Sequence, residues 1–217
     1  MQGILQEVIG AGNIGVIVSY QLLQAGIEVP AIIEAMPHIG AYHVHASKVR
    51  RMGVPIYTSH TILTAQGSDH LEGITFAEID QNRQTVAGSE KELEVDVLCI
   101  AVGLTPLTEI LFQVGCKMVY IAELGGHVAL RNETLETSVK NVFVAGDAGG
   151  IEEASAAMVE GSIAGLTAAL NLGHGRDSYA AKLRAAQNEL ANLWRGPTGE
   201  KTRKGLQKLT LAGAVAS

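Results

Sequence analysis

Val8-Ile9-Gly10-Ala11-Gly12-Asn13-Ile14-Gly15 is the stretch on which the fold turns. Glycines at this spacing carry a chain sharply from a strand into a helix. Gly10 makes the turn, Gly12 lets a pyrophosphate approach the backbone, and Gly15 lets the helix pack closely on the strand. Gly10, Gly12, Asn13, Ile14 and Gly15 are therefore candidate cofactor-binding residues, because the amides that open the helix face the phosphates. Such a pattern arises often in glycine-rich chains, so its context decides. Residues 4–9 are a short apolar run, residues 13–25 have helical spacing and close at Gly26, and residues 27–34 are a second apolar, β-branched run. This spells a β-α-β unit with a right-handed parallel crossover.

Glu34 ends the second run, 24 residues beyond Gly10, where a carboxylate accepts hydrogen bonds from both hydroxyls of an adenosine ribose. The same carboxylate repels a 2′-phosphate, and no arginine or lysine lies between Glu34 and Tyr42 to neutralise one. NAD(H) is therefore expected over NADP(H).

Downstream, residues 45–52 predict a helix stopped by Gly53, and residues 54–57 a strand. Alternating runs at 61–63, 71–79 and 85–86 predict an antiparallel meander. Residues 95–102 are nearly all apolar and read as a central parallel strand buried on both faces. A short helix is expected over 107–114, strands over 127–130 and 142–145, and a long helix rich in small residues over 152–172. An amphipathic helix follows, with Tyr179, Leu183, Ala186, Leu190 and Trp194 on one side, a stripe that needs a partner surface. The basic tail beyond Pro197 is expected to be mobile or to order only against another subunit.

Composition narrows the function classes. A net charge of −6 over 217 residues gives no electrostatic footprint for nucleic acid. Polar residues interrupt every apolar run before the length of a membrane span, so the chain reads as soluble and cytoplasmic, with no membrane partner. Cys99 and Cys116 are too far apart for a Cys-x-x-Cys redox pair. His43 and His45 do not share a helical face and have no further ligands nearby, so no metal site is expected. No acid, base or nucleophile stands out as catalytic.

Two further stretches, Ala101-Val102-Gly103 and Asn141-Val142-Phe143-Val144-Ala145-Gly146-Asp147, complete a recognisable order. From Val8 to Leu172 the chain resembles the pyridine nucleotide-disulfide oxidoreductase superfamily, in which a nicotinamide-binding domain is inserted between two halves of a flavin-binding domain. The resemblance implies that Ala101, Val102 and Gly103 form the loop returning to the flavin domain beside the bound dinucleotide. It also implies that Gly146 and Asp147 meet the ribityl or phosphate part of FAD. Residues 151–165 resemble the flavoprotein subunits of amino-acid-oxidising enzymes, such as the alpha subunits of sarcosine oxidase, proline dehydrogenase and hydrogen cyanide synthase.

The expected architecture is α/β: a Rossmann-like parallel sheet with an antiparallel meander, then a partial FAD-domain segment and C-terminal helices. Its parts are an NAD-binding domain at 1–106, the C-terminal part of a flavin domain at 107–175, and an amphipathic helix with a mobile tail at 176–217. The family's first glycine fingerprint and its redox cysteine pair have no counterpart in the 217 residues. NAD is thus the expected cofactor, and FAD is not expected to bind stably to this chain alone. The leading expectation is an FAD/NAD(P)-dependent oxidoreductase module that supports hydride transfer between nicotinamide and flavin and is completed by another chain or segment. Two alternatives stand beside it. One is a scaffold subunit of a hetero-oligomeric amino-acid dehydrogenase, favoured by the Tyr179 stripe; the other is a non-catalytic protein that binds NAD(H) or a partner, a second subunit or another copy of itself.

Overall fold

The structure, a computed structural model, describes residues 5–197 and 199–216, with side chains described outside 211–216. It divides into two compact units, Met1–Gly103 and Leu104–Ser217. Each is described in turn.

The first unit opens with β1 (Gln6–Ile9), α1 (Asn13–Gln24) and β2 (Ile32–Glu34), followed by α2 (His43–Arg51) and β3 (Ile56–Thr58). With β7 (Val97–Ile100) these strands form a parallel sheet in the order β3-β2-β1-β7. The expected β-α-β unit is present, but β2 is shorter than the apolar run suggests. Pro30 has no N–H to give to a ladder, and Glu28 makes only an isolated bridge to Leu5. One sheet face packs Val8, Ile32 and Cys99 against Val16 and Val49 of the helices. The other packs Ile33, Tyr57 and Leu98 against the meander through Ile74 and Phe76. Full burial of such side chains contributes roughly 1.5–3 kcal/mol each.

The meander is β4 (His60–Gln66), β5 (Gly73–Glu78) and β6 (Lys91–Glu94). Residues 85–86, expected as its third strand, supply only a bridge from Thr85 to Ile79. Asp80 Oδ1 accepts the amides of Asn82 and Gln84 and turns the chain early. The pairing falls instead on Lys-Glu-Leu-Glu, where Leu93 alone packs into the core, so the segment carries little hydrophobic signal. Nor is β7 a central strand: among the described residues it pairs with β1 alone, and Ile100 is 67% exposed.

The second unit has α3 (Glu109–Gln113), shorter than expected, then a hairpin of β8 (Met118–Ile121) and β9 (Gly126–Ala129). Of this pair only the second strand was legible in the sequence. Residues 142–145 form no strand: Phe143 makes a single bridge to Glu136, framed by Val144 N–H on Leu135 O and Thr137 N–H on Val142 O, while Val142 N–H turns back to Val139 O. A 3-10 turn, Gly146–Gly149, leads into α4 (Ala154–Asn171), then α5 (Arg176–Leu193) and α6 (Glu200–Ala216).

Two expectations for the C-terminal helices are overturned. The Tyr179 stripe is not an unfilled surface, because Leu183, Ala186, Leu190 and Trp194 pack on Ala156, Val159 and Ile163 of α4. The tail is helical and orders against its own chain: Leu209 is buried with Ile121, Leu124 and Val128, and Lys208 pairs with Glu123 at 2.5 Å. Its lysines read as a solvated segment, but among the described side chains Leu206 and Leu209 make the apolar contacts.

Candidate functional site

The fingerprint folds as its residue types require. Gly10 has φ +101°, and a Cβ there would collide with the Ala101 carbonyl oxygen. A Cβ on Gly15 would collide with the Gly10 carbonyl oxygen and lie 3.3 Å from the Ala101 side chain. Gly10, Gly15 and Ala101 are therefore in mutual contact, and Ala101 N–H donates to Ile9 O at 2.7 Å. Gly12 differs. A Cβ there would meet nothing within 4 Å, so the turn presents open backbone.

Electrostatics agree with an anion at this point. Gly12 is the N-cap of α1, no side chain caps the helix, and its first turn holds no acidic residue. The partial positive charge of the helix start is left uncompensated. Ile14 is 51% exposed on that first turn, and Val102 and Gly103 are exposed beyond Ala101.

Glu34 closes the other side. Its Oε2 accepts the Ala11 amide at 2.7 Å, and its Oε1 accepts the Met36 amide at 2.8 Å. The half-buried carboxylate thus sits against the glycine turn, and each oxygen keeps a second lone pair free to accept another donor. Asn13 does not point at a ligand through its amide oxygen: Oδ1 accepts the Tyr42 amide at 2.9 Å. That contact, with Ala41 N–H on Ala11 O at 2.9 Å, lays residues 39–42 along the turn. Sequence reading missed this strap, since a 29-residue separation hides the Asn13 contact.

On β1 itself stands a group that sequence reading also missed. Glu7 is 0% exposed, and neither carboxylate oxygen has a hydrogen-bond partner of ordinary geometry among the described residues. Burial raises its pKa from 4.5 to about 8, with the Val8 and Ala31 amides offsetting only part of that. It carries a proton at neutral pH.

In the second unit Asp147 is exposed, and its Oδ1 is 3.4 Å from the Glu152 amide. The Gly146 amide is already engaged, donating to Glu160 Oε2 at 2.8 Å. Glu160 is fully buried and takes a two-pronged hydrogen bond from Arg131, at 2.7 and 3.0 Å. Glu152 completes the network, accepting Trp194 Nε1–H at 2.8 Å. Burial first, and then the charge of Glu160, raise the Glu152 pKa to about 7, against the hydrogen bond from Trp194 and the charge of Arg131.

A sequence profile described as pyridine nucleotide-disulphide oxidoreductase matches residues 6–161, most of the chain. The chain belongs to that family. Members are FAD- and NAD(P)-dependent oxidoreductases. The chain is 29% identical over 131 residues to an opine oxidase subunit from Rhizobium meliloti, covering 60% of this chain and 23% of that protein. It is 26% identical over 162 residues to hydrogen cyanide synthase subunit HcnB of Pseudomonas protegens, covering 73% and 34% respectively. The chain thus spans well under half the length of these curated relatives. Thioredoxin reductase of T. acidophilum superposes with a TM-score of 0.63 at 25% identity, over 77% of this chain and 52% of that one. No helix among the described residues is long and apolar enough to cross a membrane.

Proposed function

We propose that the chain is the pyridine-nucleotide-binding part of a flavoprotein oxidoreductase, joined to the C-terminal part of a flavin-binding domain, with NAD(H) as the preferred nucleotide. Residues 1–106 form the NAD-binding domain and 107–175 the flavin-domain part, with the C-terminal helices packed on the latter. One observation carries the reading: the Glu34 carboxylate sits on the Ala11 amide, beside an α1 start that has neither cap nor acid.

That arrangement fits a dinucleotide. The amides of Gly12, Asn13, Ile14 and Gly15 hold the pyrophosphate, and the remaining lone pairs of Glu34 accept the ribose hydroxyls. A 2′-phosphate would meet the carboxylate with no arginine or lysine in residues 35–42. Ala101, Val102 and Gly103 border the turn on the side from which Ala101 contacts Gly10. When bound, the nicotinamide supplies the hydride chemistry, and this chain's residues orient the ring and need donate no proton.

The flavin half is thinner. Asp147 can accept a hydroxyl of the flavin chain, but the Gly146 amide is held by Glu160 and is not available to a phosphate. FAD therefore needs further contacts from another segment or chain. A second reading, a cofactor-binding or scaffold subunit of a hetero-oligomeric amino-acid dehydrogenase, is supported by relatives described as subunits. The Tyr179 stripe no longer supports it.

Calorimetry on the purified chain with NADH and NADPH, together with its visible absorption spectrum, tests the proposal. Tighter binding of NADH is expected. Failure to bind either nucleotide would sink the leading reading, while NADH binding without flavin colour would favour a subunit completed elsewhere or a nucleotide-binding protein with no turnover.

A further inference from the structure

We propose that Asn13 is a positioning residue for the nucleotide: it clamps the strap of residues 39–42 onto the phosphate turn and acts through that strap. The inference rests on reading Gly10 to Gly15 and Glu34 as a pyridine-nucleotide site, and it gives the Asn13 side chain a role besides the contact made by its backbone amide.

Asn13 is the first residue of α1, one position past the N-cap Gly12, and its side chain makes no cap to its own helix. Here its Oδ1 reaches across to the amide of Tyr42, the N-cap of α2, at 2.9 Å. Ala41 N–H donates to Ala11 O at 2.9 Å, so both neighbours of Gly12 are tied to one strap. The strap's other end is fixed as well, because Glu34 holds the Ala11 and Met36 amides at once. Gly40 lies over the turn, where a Cβ would stand 3.8 Å from both Ala11 O and Gly12 Cα.

Gly12 has no side chain of its own to fix it and faces open space, so its conformation is set by these ties. With Asn13 gone, one end of the strap is released, and the nucleotide must order the turn as it binds. That ordering is subtracted from affinity. Glu34 keeps its own two amides, so the ribose contact survives and the loss is partial.

The test is a double-variant cycle on the full chain, with NADH and ADP-ribose as probes in calorimetry. Asn13→Ala removes the acceptor. Tyr42→Pro removes the donor at a residue whose φ of −57° proline accepts, and Tyr42→Ala keeps the amide as the control for the lost ring. Asn13→Ala is expected to weaken NADH and ADP-ribose alike by about five-fold, the size of one neutral hydrogen bond. Asn13→Ala/Tyr42→Pro is expected to weaken them no more than Tyr42→Pro alone, because both changes break one link. Amide exchange at Ala41 is expected to quicken in Asn13→Ala, while that at Phe76 in the meander stays as in the wild type.

An Asn13→Ala chain that binds both probes as tightly as the wild type overturns the proposal, and so does a double variant whose loss is the product of the two. If the wild type itself binds neither probe, the nucleotide-site reading fails first and carries this inference with it.

Discussion

Glu7→Gln should change how the stability of this chain depends on pH. Glu7 is fully buried, neither oxygen has a hydrogen-bond partner of ordinary geometry among the described residues, and its folded-state pKa is about 8 against 4.5 for the exposed group. The folded state therefore holds a proton that the unfolded chain has already released over that interval. Stability is fully present below about pH 4.5 and is lost as pH rises toward 8, at about 1.4 kcal/mol per pH unit, levelling off above 8. The interval corresponds to a total of about 4–5 kcal/mol, a large share of the 5–15 kcal/mol typical of a domain.

Glutamine has the same shape and does not titrate, but its amide would be buried without partners, at a pH-independent cost of about 1–3 kcal/mol. The variant should thus be no more stable than the wild type near pH 5 and should overtake it as pH rises, with the difference growing by about 1.4 kcal/mol per unit. Urea unfolding followed by circular dichroism across this range measures the difference. Parallel stability curves for the two proteins would refute the reasoning, because they would mean Glu7 is ionised or hydrated in the folded state.

Three further outcomes are expected. Trp194, the one tryptophan, donates to Glu152, so its fluorescence should titrate with a midpoint near 7 and lose that step in Glu152→Gln. Arg131→Met leaves the Glu160 carboxylate buried without its cation, and thermal unfolding should show a loss of about 3–5 kcal/mol. Glu34→Arg should weaken NADH and strengthen NADPH in calorimetry; an unchanged preference would show that Glu34 is not the ribose ligand.

The parts of the molecule legible in the sequence share one property: their signal is local. Gly10, Gly12 and Gly15 announce a strand-to-helix turn because the backbone geometry at that turn excludes side chains, and Glu34 follows at a distance set by one helix and one strand. The alternation in residues 71–79 likewise gave β5. What failed had its determinant elsewhere in the chain. Lys91–Glu94 is a strand only because β5 offers it a ladder, and residues 142–145 are not one because no neighbouring strand among the described residues extends their pairing. The Tyr179 stripe and the basic tail both needed partners, and α4 and the β8-β9 hairpin supply them from the same chain.

By itself the sequence determined the parallel β-α-β start, the open glycine turn and the acid beside it, because each depends on contacts that helix and strand periodicity place in reach. Only the tertiary structure decided that Asn13 grips a strap 29 residues away, that Glu7 keeps its proton, and that Arg131, Glu152, Glu160 and Trp194 form one network. Hydrogen bonding and desolvation act through space between groups whose separation along the chain carries no period, so no pattern of residues could announce them.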